Sequence, residues 1–428
     1  MINYAFPEPG EMRMSGYLKY LPQFGWEPYV LSGNVWQKGK EKDVTPALSD
    51  ISDLRVFYIR NLFDPGRRAK GIPEDSSKPA KIGYRIVTFF RWFVMFVVMR
   101  LCTGWIPTAL LFAKKIIEKE NIDLIWAFPA PGAVMGVLLK KITKRPLIID
   151  YPDPWTFNPH YSYPSRFYQK LDMMLEKWVL KNCDQLIVAT KWIKNKYLLI
   201  YPWLDKKIWV LRNGFYSEHF LKNQILEQSN NKFTITYTGR FYGLRSPKLF
   251  LEALNRIFIE RKIPRDDIRV FFIGSKAGST KVDNLIKDLL LQDLIIQTNW
   301  VSVEKSYDHI LKSDLLLIPE FADVLTTKAF EYLATGKPIL AIIPEGELAE
   351  LIREYSDNSY IITSGSVDEI ADAILDAYKK WKEGKLTLSS KEKVERFRKK
   401  YNRKNLTKEL ADVFNMVLKN QNRRMKGV

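Results

Sequence analysis

Cysteine is nearly absent from this chain of 428 residues: Cys102 and Cys183 lie far apart, outside any CxxC or Cys/His ligand spacing. That pattern argues against a disulfide framework or a structural zinc site, and it suits a reducing compartment, so the expected location is cytoplasmic. Histidine is almost as scarce. His160, His219 and His309 stand without paired spacing, so a histidine-built metal centre is not expected. Long apolar runs are missing as well: the most apolar stretch, 86–101, is broken by Arg91 and Arg100 and is shorter than the roughly 20 residues a spanning helix needs. Residues 1–10 have neither the basic start nor the apolar centre of a secretory signal. No repeat of fixed period and no low-complexity tract occurs, which removes solenoid and fibrous architectures.

What remains is globular composition, 46% hydrophobic and 27% charged, in a chain long enough for two domains with separate cores. The formal charge is +19, and much of the excess is local: residues 391–428 hold 13 Lys or Arg against 4 Asp or Glu. Such a field attracts nucleotides, polyanions or anionic lipid. Helix-turn-helix, RNP and zinc-finger patterns do not accompany it, so nucleic acid is not an expected partner.

Short β-rich runs alternate with helical patterns. The first six are Pro28–Leu31, Arg55–Ile59, Ile122–Phe128, Pro146–Asp150, Gln185–Ala189 and Lys207–Leu211. A second six follow at Phe233–Thr238, Ile268–Ile273, Ile295–Trp300, Asp314–Pro319, Pro338–Ile343 and Ser359–Ile362. Strands alternating with helices predict parallel sheets covered on both faces, hence an α/β protein of two Rossmann-like, doubly wound domains. The polar stretch 221–232 is the natural linker. After Lys379 the strand signal stops, and Leu406, Leu410, Val413, Phe414, Val417 and Leu418 recur at the spacing of one terminal amphipathic helix.

Ligands of open parallel sheets bind at the carboxyl ends of strands, so the residues just after each run matter most. The run 233–238 ends in Gly239-Arg240-Phe241, with Arg245 and then a helical pattern. Glycine lets backbone approach a ligand, a helix start carries a positive dipole end, and guanidinium groups clamp phosphate oxygens; alone, such a pattern is more often a surface turn. The second stretch, from Asp323 through Lys328 and Glu331 to Gly336, reads as loop, helix and turn. Its carboxylates can accept hydrogen bonds from sugar hydroxyls, although Lys328 and Glu331, three apart, could also simply pair across a helix surface.

These residues resemble family 4 glycosyltransferases. Gly239-Arg240, Arg245 and Ala253 match that family's G-R-L-x-x-x-K-G helix entry, and Asp323 to Glu331 falls on its E-x7-E motif with Asp in the first place. Phe6-Pro7-Glu8-Pro9-Gly10 looks like the glycine loop after the first strand, and residues 20–27 like the helix end that follows. Residues 149–155 resemble a D-x-R-D-P-W segment, and Arg212-Asn213-Gly214-Phe215 the N-G-x-D/Y turn before the linker. Two departures stand out: the first strand is cut to residues 2–5, and Asp153 stands where many relatives carry a histidine.

The resemblance implies a GT-B fold, two Rossmann-like domains facing a central cleft. Residues 1–225 would form the acceptor domain, 226–385 the nucleotide-sugar donor domain, and 386–428 a basic helical segment packing back on the first domain. It implies a UDP- or GDP-sugar as co-substrate, no metal requirement, and retention of anomeric configuration. Arg240 and Arg245 would hold the diphosphate, Lys328 would add a phosphate contact, Glu331 would hold the ribose, and Asp323 would touch the donor sugar. Gly10 would border the nucleotide sugar, and Asp153 could act as a base on the acceptor, only orient the sugar, or simply cap a helix or turn. From residue 84 to 105, aromatics interleave with Arg85, Arg91 and Arg100, as in helices lying on a bilayer, or in a core helix with snorkelling arginines. With the positive charge, this predicts an anionic membrane surface and a glycan or lipid-linked acceptor at the inner face. The competing readings are a nucleotide-sugar epimerase on the same fold and a non-catalytic membrane scaffold.

Overall fold

Each of the twelve runs corresponds to one strand in the structure, a computed structural model, with the first and fourth strands each ending one residue beyond their runs. The structure describes residues 1–4, 6, 12–33, 54–60, 105–158, 163, 165–218, 231–241, 245–260, 262–274 and 280–425. In chain order the strands are β1 (Tyr29–Ser32), β2 (Arg55–Tyr58), β3 (Ile125–Ala127), β4 (Leu147–Tyr151), β5 (Gln185–Val188) and β6 (Ile208–Val210), then β7 (Phe233–Thr238), β8 (Ile268–Ile273), β9 (Ile295–Gln297), β10 (Leu315–Pro319), β11 (Ile339–Ile342) and β12 (Tyr360–Ile362). The chain divides into one unit of Met1–Leu211 with Thr407–Val428 and a second of Arg212–Leu406. The expected linker lies outside the described residues up to 230.

In the first unit β1 pairs with β2, and β3 to β6 pair in sequence order, all parallel. The shortened first strand completes this sheet as a single bridge: Ile2 pairs with Leu31 on one side and Ala127 on the other. Ile2 N–H donates to the Trp126 carbonyl at 2.8 Å and Asn3 N–H to that of Leu31 at 3.1 Å. With Ile2 in place, the order becomes β2, β1, Ile2, β3, β4, β5, β6, that of a doubly wound sheet. All residues of β3, β4 and β5 are buried, as expected for parallel strands covered on both faces.

The second unit orders its strands β12-β11-β10-β7-β8-β9, all parallel. From β7 the chain winds outward through β8 and β9, then crosses back to β10 and continues to β12. The winding reverses between β7 and β10, so their carboxyl ends border the crevice where such sheets bind ligands. The helix Lys248–Ile259 buries Phe250, Leu251, Ala253, Leu254, Ile257 and Phe258, a three-and-four spacing that presents one apolar face to the core.

Beyond residue 386 the helix read from Leu406 to Leu418 lies within Arg403–Met425, and a second helix, Lys391–Tyr401, precedes it. Two different cores divide them. Phe397 and Tyr401 join an aromatic cluster of the second unit with Phe215, Phe330 and Tyr355. In the first unit, Phe414 packs against Trp26 and Trp126 with ring centres 5.0 and 5.7 Å apart. The aromatic–arginine segment 84–104 lies outside the described residues. Its last member, Trp105, is fully buried against Tyr4 and belongs to the core of the first unit, not to a surface anchor. Among the described residues no helix is long and apolar enough to cross a membrane.

Gly214, in the turn before the expected linker, shows how tightly that cluster closes: a Cβ there would collide with the carbonyl oxygen of Tyr401. Backbone cannot yield as a flexible side chain can. Gly214→Ala should therefore cost about 1–3 kcal/mol of stability in denaturant unfolding, in the range of an overpacked core. An unchanged unfolding midpoint would show that the turn relaxes freely.

Candidate functional site

At the end of β7 the backbone turns through Gly239 with φ of +119°, a conformation that disfavours any side chain. Arg240, next in the chain, is exposed, and its guanidinium lies 5.8 Å from the ring centre of Trp300, itself 52% exposed. Phe241 folds back to stack on Tyr237, with ring centres 4.3 Å apart. Arg245 is buried, and its Nε donates to Glu320 Oε2 at 2.7 Å.

Glu320 follows β10 directly, and its side chain is only 1% exposed. Its second oxygen, Oε1, accepts from Lys328 Nζ at 3.3 Å. Lys328 also donates to the Tyr237 hydroxyl at 3.1 Å, with its ammonium 4.6 Å from that ring's centre. The helix carrying it, Thr327–Thr335, is tied to β7 because the Tyr332 hydroxyl accepts the Thr238 N–H at 2.9 Å. Two cations and one carboxylate thus occupy the carboxyl ends of β7 and β10 where the winding reverses. Their net charge of one positive unit favours an anionic guest, and the geometry suits phosphate oxygens.

Glu331 sits one turn further along the same helix. Burial lifts its carboxyl to about 7, while Arg403, the Tyr307 hydroxyl and Lys328 pull it back toward ionisation. Asp323 faces a different partner: its carboxylate accepts the N–H groups of Glu347 at 3.0 Å and Leu348 at 3.2 Å, capping the helix Glu347–Tyr355. Gly346 permits this contact, since a Cβ there would collide with the Asp323 carboxylate.

Asp153 belongs to the first unit, exposed two residues beyond β4. A buried polar network holds the segment after it. Trp155 Nε1 donates to Asp172 at 3.1 Å, and the hydroxyls of Thr156 and Tyr197 each donate to Glu176 at 2.6 Å. Just before it, Asp150 pairs with Arg13 at 3.2 Å in the core. The structure therefore brings Gly239, Arg245 and Lys328 together, turns Arg240 toward Trp300, and sets Asp323 on a helix start. Gly10 lies outside the described residues. Sequence reasoning missed Glu320, Tyr237 and Trp300. For Glu320 the signal was present: a carboxylate immediately after the strand-ending Pro319. Among the described residues no three His, Cys, Asp or Glu side chains gather as a metal site.

Two doubly wound parallel sheets, the second with a cation cluster at its reversal point, define the chain as a GT-B-type protein. Residues 18–218 match the model of Glycosyltransferase Family 4, and residues 220–405 that of Glycosyl transferases group 1. The chain belongs to the family 4-like GT-B glycosyltransferases. It is 24% identical over 183 residues to a D-inositol 3-phosphate glycosyltransferase of Gordonia bronchialis, covering 40% of this chain and 40% of that relative. The match thus spans well under half of the relative's length. Among solved structures, a glycosyltransferase from Rickettsia africae superposes with a TM-score of 0.65 at 16% identity, over 98% of both chains. HepE of Anabaena, in complex with UDP-glucose, does so at 0.63 with 13% identity, over 97% of this chain and 98% of that one. At such identity the likeness establishes the fold.

Glu176 generates a pH prediction. Burial raises its carboxyl from 4.5 to about 7, outweighing the hydroxyl and backbone donors that face it. A folded value above the unfolded one means that its stabilising contribution is complete below about pH 4.5 and is lost as the pH rises through 7. Glu176→Gln removes that titration. Between pH 5 and 8 the wild type should lose up to roughly 3 kcal/mol more stability than the variant. Parallel losses in thermal melts of both proteins would assign the titration to other groups.

Proposed function

We propose that this chain transfers a sugar from a UDP- or GDP-linked donor to a glycan or lipid-linked acceptor, with retention of configuration, in cell-surface polysaccharide or glycolipid assembly. The observation that carries this reading is the buried cluster of Arg245, Glu320 and Lys328 at the point where β7 and β10 diverge. Departure of a nucleoside diphosphate builds negative charge on the leaving group, and cations fixed beforehand stabilise that charge without reorganising. In this reading Arg245 and Lys328 receive the diphosphate from within, and Arg240 closes on it from the rim. Gly239 lets the phosphates approach: its Cα carries no side chain where a Cβ would lie 3.5 Å from the Lys328 ammonium. Glu331 accepts the ribose hydroxyls, whose hydrogen bonds favour its ionised form. The UDP-glucose complex of the Anabaena protein supports this choice of donor class.

The second unit would take the donor and the first the acceptor. Gly10 would border the donor, Asp153 would serve the acceptor hydroxyl, and Asp323 would touch the donor sugar through its exposed edge. The net charge of +19 supports peripheral attachment to anionic lipid at the inner face of the cell membrane.

Turnover of a panel of nucleotide sugars tests the reading directly. Arg245→Ala should weaken nucleoside diphosphate binding by about 1.5–3 kcal/mol, the range of a charge-assisted contact, and more than Arg240→Ala does, since Arg240 is exposed. Glu331→Ala should abolish transfer in a folded protein. Full affinity for UDP and GDP in the Arg245 variant would remove the diphosphate assignment.

Membrane attachment has its own check. The protein should sediment with anionic vesicles at low salt and be released as salt screens the attraction. Replacing Phe93 and Phe96 by Ser should weaken the part that salt cannot remove. Indifference of the wild type to vesicles at low salt would favour a soluble acceptor.

A further inference from the structure

We propose that Glu320 is a positioning residue of this site: its carboxylate holds Arg245 and Lys328 side by side in the arrangement that receives the diphosphate. The inference rests on reading that pair as the diphosphate site.

The carboxylate is placed by the sheet itself, since Glu320 N–H donates to the Ile342 carbonyl at 3.0 Å as β10 ends. Its two oxygens are divided between the two cations, at 2.7 and 3.3 Å, in a pocket where the side chain is 1% exposed. Contact through Nε fixes the plane of the guanidinium, because that group is rigid. Lys328 is fixed from a second direction by the Tyr237 hydroxyl, which also donates to the Arg240 carbonyl at 3.0 Å. Two buried cations this close repel each other, and the shared carboxylate cancels that repulsion. A glutamine in its place would keep the shape but turn an amide NH2 toward one of the cations.

The sign of the effect separates positioning from simple charge. Removing a negative group should by itself strengthen binding of an anion, whereas losing the alignment of the cations should weaken it. Calorimetric titration of the full chain with UDP and GDP, and with uridine and guanosine, reads both. Glu320→Gln should weaken diphosphate binding at least tenfold and leave nucleoside binding unchanged, and Glu320→Asp, which keeps the charge, should recover part of the loss. Diphosphate affinity equal to or tighter than wild type in the Gln variant overturns the proposal, as does an equal loss for nucleoside and diphosphate, which marks a purely structural role. Should the Gln variant fail to fold, the Asp variant decides, since a carboxylate drawn back by one methylene must still weaken diphosphate and spare nucleoside. Arg245→Ala and Lys328→Ala proteins with wild-type diphosphate affinity would instead remove the underlying site, and the proposal with it.

Discussion

Two cations buried beside each other at the ends of β7 and β10 are the constraint around which the second unit is arranged. Taking an ammonium and a guanidinium out of water is costly, and a lone partner at the surface would not offset it. Glu320 lies between them at the first position after β10, and the sheet register sets it there. Much of the neighbouring structure follows from that placement. Tyr237, the penultimate residue of β7, supplies a ring and a hydroxyl to Lys328, and Phe241 stacks on the opposite side of the turn. The turn between them must be tight enough to bring Phe241 back, which is why Gly239 adopts its positive φ. Tyr332 then locks the lysine-bearing helix to the end of the same strand.

The first unit solves a related problem with the charges reversed in role. There the buried groups are carboxylates, and the donors come to them. Asp150 within β4 is met by Arg13, while Asp172 and Glu176, one turn apart on the helix Arg166–Asn182, receive the indole N–H of Trp155 and the hydroxyl of Thr156 from the segment that follows β4. Hydrogen bonds of this kind keep the segment 153–157 in one conformation without a regular element. Asp153 therefore projects from an anchored loop. In the first unit the groups that hold this loop are drawn from the helix packed behind it, whereas in the second the holding carboxylate, Glu320, itself follows a strand and one of the cations it holds, Lys328, rides a helix.

The strands were legible because parallel strands buried on both faces are continuous apolar runs, and such runs have few other readings at four to six residues. Arg245 was reached from the glycine-and-cation pattern after its strand and Lys328 from the family resemblance, whereas the reversal point that joins them came only with the strand order of the folded sheet. For Glu320 the position was legible and the role was not: a carboxylate after a strand usually faces solvent, and only the folded arrangement of two distant cations makes it a buried link. Arg240 and Arg245 look equivalent in sequence, five apart in one loop, yet one is exposed beside Trp300 and the other is enclosed. The tail was legible only in part. The apolar spacing from Leu406 to Leu418 marks the helix Arg403–Met425, whereas the charge-rich helix Lys391–Tyr401 was not read, and local periodicity carries no information about which core a helix serves.

Asp323 and Glu331 show the limit of reading a spacing as a site. Eight residues apart, they straddle the start of the helix Thr327–Thr335, so one is a loop residue and the other a helix residue. A loop carboxylate finds the nearest cluster of unsatisfied N–H donors, and here that is the first turn of the helix Glu347–Tyr355. Capping uses one lone pair of each oxygen, and a carboxylate has about four acceptor positions. Any sugar hydroxyl meeting Asp323 would therefore meet a group already polarised by a helix N-terminus, a weaker acceptor than a bare carboxylate and one held rigidly in place. Glu331 has the opposite character: half-buried, with a carboxyl raised to about 7, it gains most from new donors. The two acids of the motif thus sit in different settings, the first capping a neighbouring helix and the second on its own helix beside Arg403 and Tyr307.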